Sequence, residues 1–191
     1  NIKRDGIQHK FTKDELSEYM KCSSSPAYFA NKYCKVIHLD RGLVPFDLYP
    51  YQERMFDHFR QNRFSVVLAC RQSGKSISSV AYLLWTALFS ADQTIAVLAN
   101  KGPTAQEMVA RCTLMLENLP FFLQPGCKSL NKRSIEFSNN SRIISAATSG
   151  SSIRGLSINL LYLDEFAFVD DATTFYTSTY PVVTSGTTSK V

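Results

Sequence analysis

At 191 residues, with 45% hydrophobic and 19% charged side chains, the chain has the makeup of one substantial folded domain, and its 13 Phe and 9 Tyr exclude a disordered polymer. Its 21 Lys and Arg against 16 Asp and Glu give +5 and a pI near 9.0, a mild basic bias that admits a nucleic-acid partner without demanding one. Five cysteines without a C-x-x-C pair argue for reduced, buried thiols, the apolar runs are too short for a membrane span, and the charged start carries no signal peptide, so an intracellular protein is expected.

Residues 11–34 read as two short helices. Thr12 and Glu15 have capping-box spacing ahead of Leu16, Tyr19 and Met20, and Ser25-Pro26 opens a second helix with Tyr28, Phe29 and Tyr33 on its apolar side. "GLVPFDLYP" is a proline-punctuated loop, and "YQERMFDHFRQN" returns to helical spacing. "RFSVVLAC" (63–70) is a short apolar run that predicts a buried strand, followed by a glycine loop and the largely apolar helix "KSISSVAYLLWTALFS". "QTIAVLAN" predicts a second buried strand and "PTAQEMVARCTLMLENL" an amphipathic helix. "SIEFSN" and "SRIISAA" form a hairpin across two asparagines, and "INLLYLDEF" is a further strand ending in two carboxylates. Strands alternating with helices predict an α/β fold with a mostly parallel central sheet. The start at Asn1 without methionine, and the close on "TTSKV" where an apolar strand would begin, suggest a piece of a longer chain.

The loop "LACRQSGKS" ends as the phosphate-binding pattern G-x-x-x-x-G-K-S/T does but has Ala69 where the first glycine would stand. Backbone N–H groups of such a loop and of the following helix N-terminus cradle phosphate oxygens. Gly74 permits close approach, Lys75 would reach the β- and γ-phosphates and Ser76 would ligate Mg²⁺. Ala69 is tolerable if its position needs no positive φ. A bare Gly-Lys-Ser also occurs in ordinary strand-to-helix turns, so a second site has to decide. "LLYLDEF" supplies it: four apolar residues (160–163) before Asp164-Glu165 form a Walker B pattern, with carboxylates at the C-terminal end of a buried strand. Asp164 would hold Mg²⁺ together with Ser76, and Glu165 would orient and deprotonate the attacking water.

Taken together, "CRQSGKS", "LYPYQERM", "LANKGPTAQEM", "IRGLSINLLYLDEFAF" and the lead "KCSSSPAYFANKYCKVIHLDRGLVPFDLYPYQ" resemble the ATPase domain of tailed-bacteriophage large terminase subunits. The resemblance runs over nearly the whole chain from about residue 12. It implies a RecA-like P-loop NTPase core over residues 46–191 with a small N-terminal helical lead (1–45). It also implies ATP and Mg²⁺ as cofactors and hydrolysis that drives double-stranded viral DNA into a procapsid in the host cytoplasm. Portal protein, the small terminase subunit and further copies of the chain in a ring are the implied partners, and no membrane is. Tyr51 and Gln52 match the family's adenine-recognition motif: a Gln amide can pair with adenine N6 and N7 and a Tyr can stack on the base, although Tyr51 could equally anchor its helix. The nucleotide-binding set is then Tyr51, Gln52, Arg71, Gln72, Ser73, Gly74, Lys75 and Ser76.

The family also implies an arginine finger, for which Arg71 in the loop and Arg154 in "SIRGLS" both qualify. Arg71 would act within one subunit, whereas Arg154 would act on a neighbour or, on a plainer reading, brace its own loop. Relative to the full family pattern, the chain closes before the strand of the coupling motif and holds no nuclease domain. Lys101, Arg111, Lys128, Lys132, Arg133 and Arg142 are scattered basic residues without aromatic interleaving, so DNA as a partner comes from the family and not from their pattern. A helicase-like translocase sharing the same motifs, and a nucleotide-switched assembly module with negligible turnover, are the competing readings.

Overall fold

A computed structural model describes residues 1–148, 153, 155–169, 171–184 and 186–191. The N-terminal lead forms α1 (Lys13–Ser24) and α2 (Pro26–Tyr33). The predicted capping box is present, with Glu15 N–H donating to Thr12 Oγ1 at 3.2 Å and Thr12 N–H donating to Glu15 Oε2 at 2.9 Å. Ser25 accepts from Tyr28 N–H at 3.1 Å, so one residue closes α1 and caps α2.

An antiparallel hairpin follows, β1 (Lys35–His38) with β2 (Gly42–Pro45), pairing Val36 with Val44. Part of the loop expected at "GLVPFDLYP" is therefore strand. Gly42, at φ 67°, supplies the left-handed turn residue, and Pro45 is harmless at the end of a two-stranded ribbon, where no ladder donor is required of it.

Past α3 (Pro50–Gln61), the elements are α4 (Lys75–Phe89), β3 (Thr94–Ala99), α5 (Gly102–Asn118), β4 (Cys127–Leu130), β5 (Ser134–Phe137), β6 (Arg142–Ala147), β7 (Leu160–Asp164) and α6 (Ala172–Thr184). The sheet order is β4-β5-β6-β3-β7. β3 runs parallel to both β6 and β7, and β4 and β5 extend the sheet antiparallel. The sheet is thus mixed: a parallel centre carries the helix crossovers, and the hairpin predicted at 134–147 supplies an antiparallel side, its turn resting on Asn140 at φ 63°.

Alternation along β3 and β7 divides the core. Ile95, Val97, Leu160 and Tyr162 face the layer built from α4, α5 and the lead, while Ala96, Leu98 and Leu161 face Val169 and Phe175 on the other side. α4 is buried nearly all round, each fully buried leucine such as Leu84 contributing about 2 kcal/mol. The lead packs on α4 through Phe29 against Phe89, ring centroids 5.5 Å apart, and Trp85 Nε1–H donates to Cys22 O at 2.8 Å.

Residues 63–70 depart from the expected buried strand. Ser65 N–H donates to Val191 O at 2.8 Å and Val191 N–H to Arg63 O at 2.9 Å, while Lys190 bridges Leu160 in parallel. Beyond Ser65 no strand among the described residues lies alongside, so 66–70 have no ladder partner, and Val66 and Leu68 are 94% and 99% exposed. An apolar run becomes a strand only where neighbouring strands take up its N–H and C=O groups. Of the thiols, Cys22, Cys34 and Cys112 are buried as expected, whereas Cys70, at the end of this run, is exposed.

Candidate nucleotide-binding site

The turn from the extended run into α4 is held open by two left-handed residues, Gln72 at φ 59° and Gly74 at φ 82°. Gly74 is the N-cap of α4, and its carbonyl accepts from Ser78 N–H at 3.1 Å and Ser78 Oγ at 2.9 Å. A Cβ there would be strained by the left-handed backbone and, at 2.7 Å from Gln52 Nε2, would have to displace that amide, so glycine is favoured. Ala69 is not among the positive-φ residues, which removes the reason for a glycine at that position. Lys75 and Ser76 begin the helix, where free N–H groups and the positive end of the dipole favour an anion. No carboxylate among the described residues pairs with Arg71 or Lys75, so both cations are available to an anionic ligand.

The first turn of α3 packs directly against this loop. Tyr51 Oη donates to Ser73 O, and its ring stacks on Tyr49 at 6.0 Å and 12°. Gln52 is 1% exposed, with Oε1 accepting from Tyr49 N–H at 2.8 Å to cap its own helix and Nε2 turned to Gly74. Tyr51 therefore anchors α3 to the loop, and Gln52 is spoken for on its carbonyl side by Tyr49.

β7 delivers the acidic pair opposite. Asp164 is 6% exposed, and its Oδ1 lies 3.5 Å from Ser76 Oγ, joining strand end to helix start. The same oxygen accepts from Tyr162 Oη at 2.9 Å, a contact the motif reading had no cause to single out. Its only signal in the sequence is the two-residue spacing, which sets 162 and 164 on one face of a strand. Burial, reinforced by the Asp164 charge, pushes the Tyr162 hydroxyl well above its usual range, so it remains a donor. Glu165 follows in the left-handed region, φ 49° and ψ 42°, exposed, as the residue that starts the 3₁₀ turn 166–168. A non-glycine residue held there stores strain of the kind that collects at functional sites. Arg154 lies outside the described residues.

The donor set at Ser76 and Asp164 is hard oxygen, and among the described residues no group of three or more His, Cys, Asp or Glu could by itself cage a metal. That fits Mg²⁺, which binds through one or two protein oxygens completed by water and substrate phosphates.

A glycine loop opening a helix, with a buried aspartate at the end of a parallel strand beside it, is the arrangement of a P-loop domain of RecA-like fold. The family model for the terminase large subunit, T4likevirus-type, N-terminal domain matches residues 66–191, and the chain belongs to that family. Among solved structures, the large terminase of bacteriophage HK97 is similar at 19% identity and a TM-score of 0.69, covering 88% of this chain and 36% of that one. The large terminase ATPase domain of Thermus phage P74-26 is similar at 15% identity and a TM-score of 0.61, covering 73% of this chain and 61% of that one. A mutant form of the same Thermus phage domain has the same identity and score. The chain thus spans between about a third and three fifths of the solved terminase chains it matches.

Proposed function

We propose that this domain is the ATPase of a viral DNA-packaging motor, binding ATP with Mg²⁺ and hydrolysing it to move double-stranded DNA into a procapsid. The observation that carries the reading is the 3.5 Å approach of Ser76 Oγ to Asp164 Oδ1, which joins phosphate loop and acidic strand into one site. Loop N–H groups and Lys75 bind the phosphates. Ser76 and, through water, Asp164 would hold Mg²⁺, which when bound would supply neutralisation of the phosphate charge. Glu165, exposed beside Asp164, orients a water and takes its proton as that water attacks the γ-phosphorus, while the bond to the β–γ bridging oxygen breaks and ADP leaves with that electron pair. Arg71, exposed and without a carboxylate partner among the described residues, stabilises the charge developing on the γ-phosphate from within the subunit; Arg154 is the second candidate, acting on a neighbouring subunit. Adenine reading by Gln52 requires its carbonyl to leave or share the Tyr49 N–H, while Tyr51, flanked by Tyr49, offers the stacking surface. Portal protein, the small terminase subunit and a homo-oligomeric ring are the partners this function calls for, at a procapsid in the host cytoplasm.

Steady-state ATPase and equilibrium binding of a fluorescent ATP analogue test the reading together. Glu165→Gln should retain binding and lose turnover by about 10²–10⁴-fold, whereas Lys75→Ala should weaken binding itself. Undiminished turnover in Glu165→Gln removes the catalytic assignment, and undiminished binding in Lys75→Ala removes the site.

A further inference from the structure

Leu160, Tyr162 and Asp164 share the face of β7 turned toward α4. Tyr162 stands one pleat before Asp164, its ring packed against the core that α4 contributes to, and its hydroxyl reaches along the strand to Asp164 Oδ1 at 2.9 Å. Ser76 Oγ meets the same oxygen at 3.5 Å, beyond the span of a strong O–H···O hydrogen bond. The shorter bond from Tyr162 is therefore the stronger hold on the carboxylate. The need for such a hold is local: pairing with Ala99 of β3 fixes the Asp164 backbone but not its side-chain torsions, and the backbone turns left-handed directly after it at Glu165.

We propose that Tyr162 is a positioning residue for the cation site, its hydroxyl setting the Asp164 carboxylate toward Ser76 before nucleotide and divalent cation arrive. This rests on Ser76 and Asp164 being the cation-binding pair. The phenol touches neither phosphate nor water in this role; it acts through Asp164. Outer partners that orient a metal-binding group typically govern affinity by 10–100-fold. A ring anchored in the core suits the purpose, because its orientation is already fixed by packing.

The test is Tyr162→Phe, which keeps the ring and its packing and deletes only the hydroxyl. Binding of a fluorescent ATP analogue is followed as Mg²⁺ is titrated, alongside binding in EDTA and thermal melting. The expected result is an Mg²⁺ midpoint raised about tenfold, with metal-free nucleotide affinity unchanged. An unmoved midpoint overturns the proposal, as does a parallel loss of metal-free affinity and melting temperature, which marks a merely structural tyrosine. A double-mutant cycle with Asp164→Asn guards against a stability artefact. If Tyr162 acts through Asp164, adding Tyr162→Phe to Asp164→Asn leaves the midpoint where Asp164→Asn alone put it; a further tenfold rise overturns the proposal. Failure of the underlying reading looks different: Asp164→Asn and Ser76→Ala would themselves leave the Mg²⁺ midpoint unchanged.

Discussion

The chain holds two apolar runs that look alike on paper and end up in opposite circumstances. "INLLYLDEF" becomes β7, paired along its length with β3 and packed on both faces. "RFSVVLAC" is as apolar and as short, yet past Ser65 it stands clear of the sheet with Val66 and Leu68 in solvent. Composition does not separate them; neighbours do. β7 has a parallel partner whose register matches it from Leu160 to Asp164, whereas among the described residues the backbone of 63–70 pairs with Val191 alone and the pairing ends there. Both runs still lead into residues of the proposed site. Asp164 is held by a finished strand, while the loop is held from the side, by Tyr51 on Ser73 O and by α4 behind Gly74.

The sharpest way to break this contrast is at its buried end. Leu161 is 2% exposed, opposite Ala96 in β3 and within the cluster that includes Leu98, Val169 and Phe175. Leu161→Ala should cost about 3 kcal/mol, the transfer term plus the cavity left behind, read as a lowered midpoint in chemical denaturation. A loss under about 1 kcal/mol would mean that β7 is no better packed than the exposed run.

What could be read in the residues divides along the same line. The caps at Thr12 and Ser25, the α4 and α5 helices, the hairpin around Asn140 and the carboxylates closing β7 all rest on local chemistry, and local chemistry is visible in a sequence. The turn at Gly74 ahead of α4 was legible too, as was the reason Ala69 is permitted. The exposed course of 63–70 was not, because pairing depends on what lies beside a run. Pro45 misled in the other direction, since a proline that breaks a central strand is tolerated at the end of a small ribbon. Tyr162 was invisible because an apolar strand before Asp-Glu accounts for a tyrosine without giving its hydroxyl any task. Gln52 is the intermediate case: a motif marked it, but only its burial reveals that its carbonyl caps α3.

Gly74 lies at the hinge between the two circumstances, where the unpaired run turns into a helix. Gly74→Ala forces a side chain into the left-handed region and against Gln52 Nε2. The conformational part alone should cost about 1–2 kcal/mol, seen in denaturation, with nucleotide binding weakened as the loop shifts. If Gln52→Ala costs less stability in the Gly74→Ala background than on its own, the clash with the amide contributes; if the two losses add, the backbone conformation carries the cost.

The smallest effect is expected where the contrast is most exposed. Leu68 is 99% accessible, so Leu68→Ser removes no packed contact and should change stability by no more than about 0.5 kcal/mol. Amides 66–70, lacking ladder partners among the described residues, should exchange with solvent far faster than those of β7, which β3 protects. The two measurements test the same statement independently, one through the side chain and one through the backbone. A destabilisation near 2 kcal/mol together with slow exchange would show that 66–70 is a buried, paired strand in solution. The two apolar runs would then be equivalent, and the loop would be held from its strand side as firmly as Asp164 is from β7.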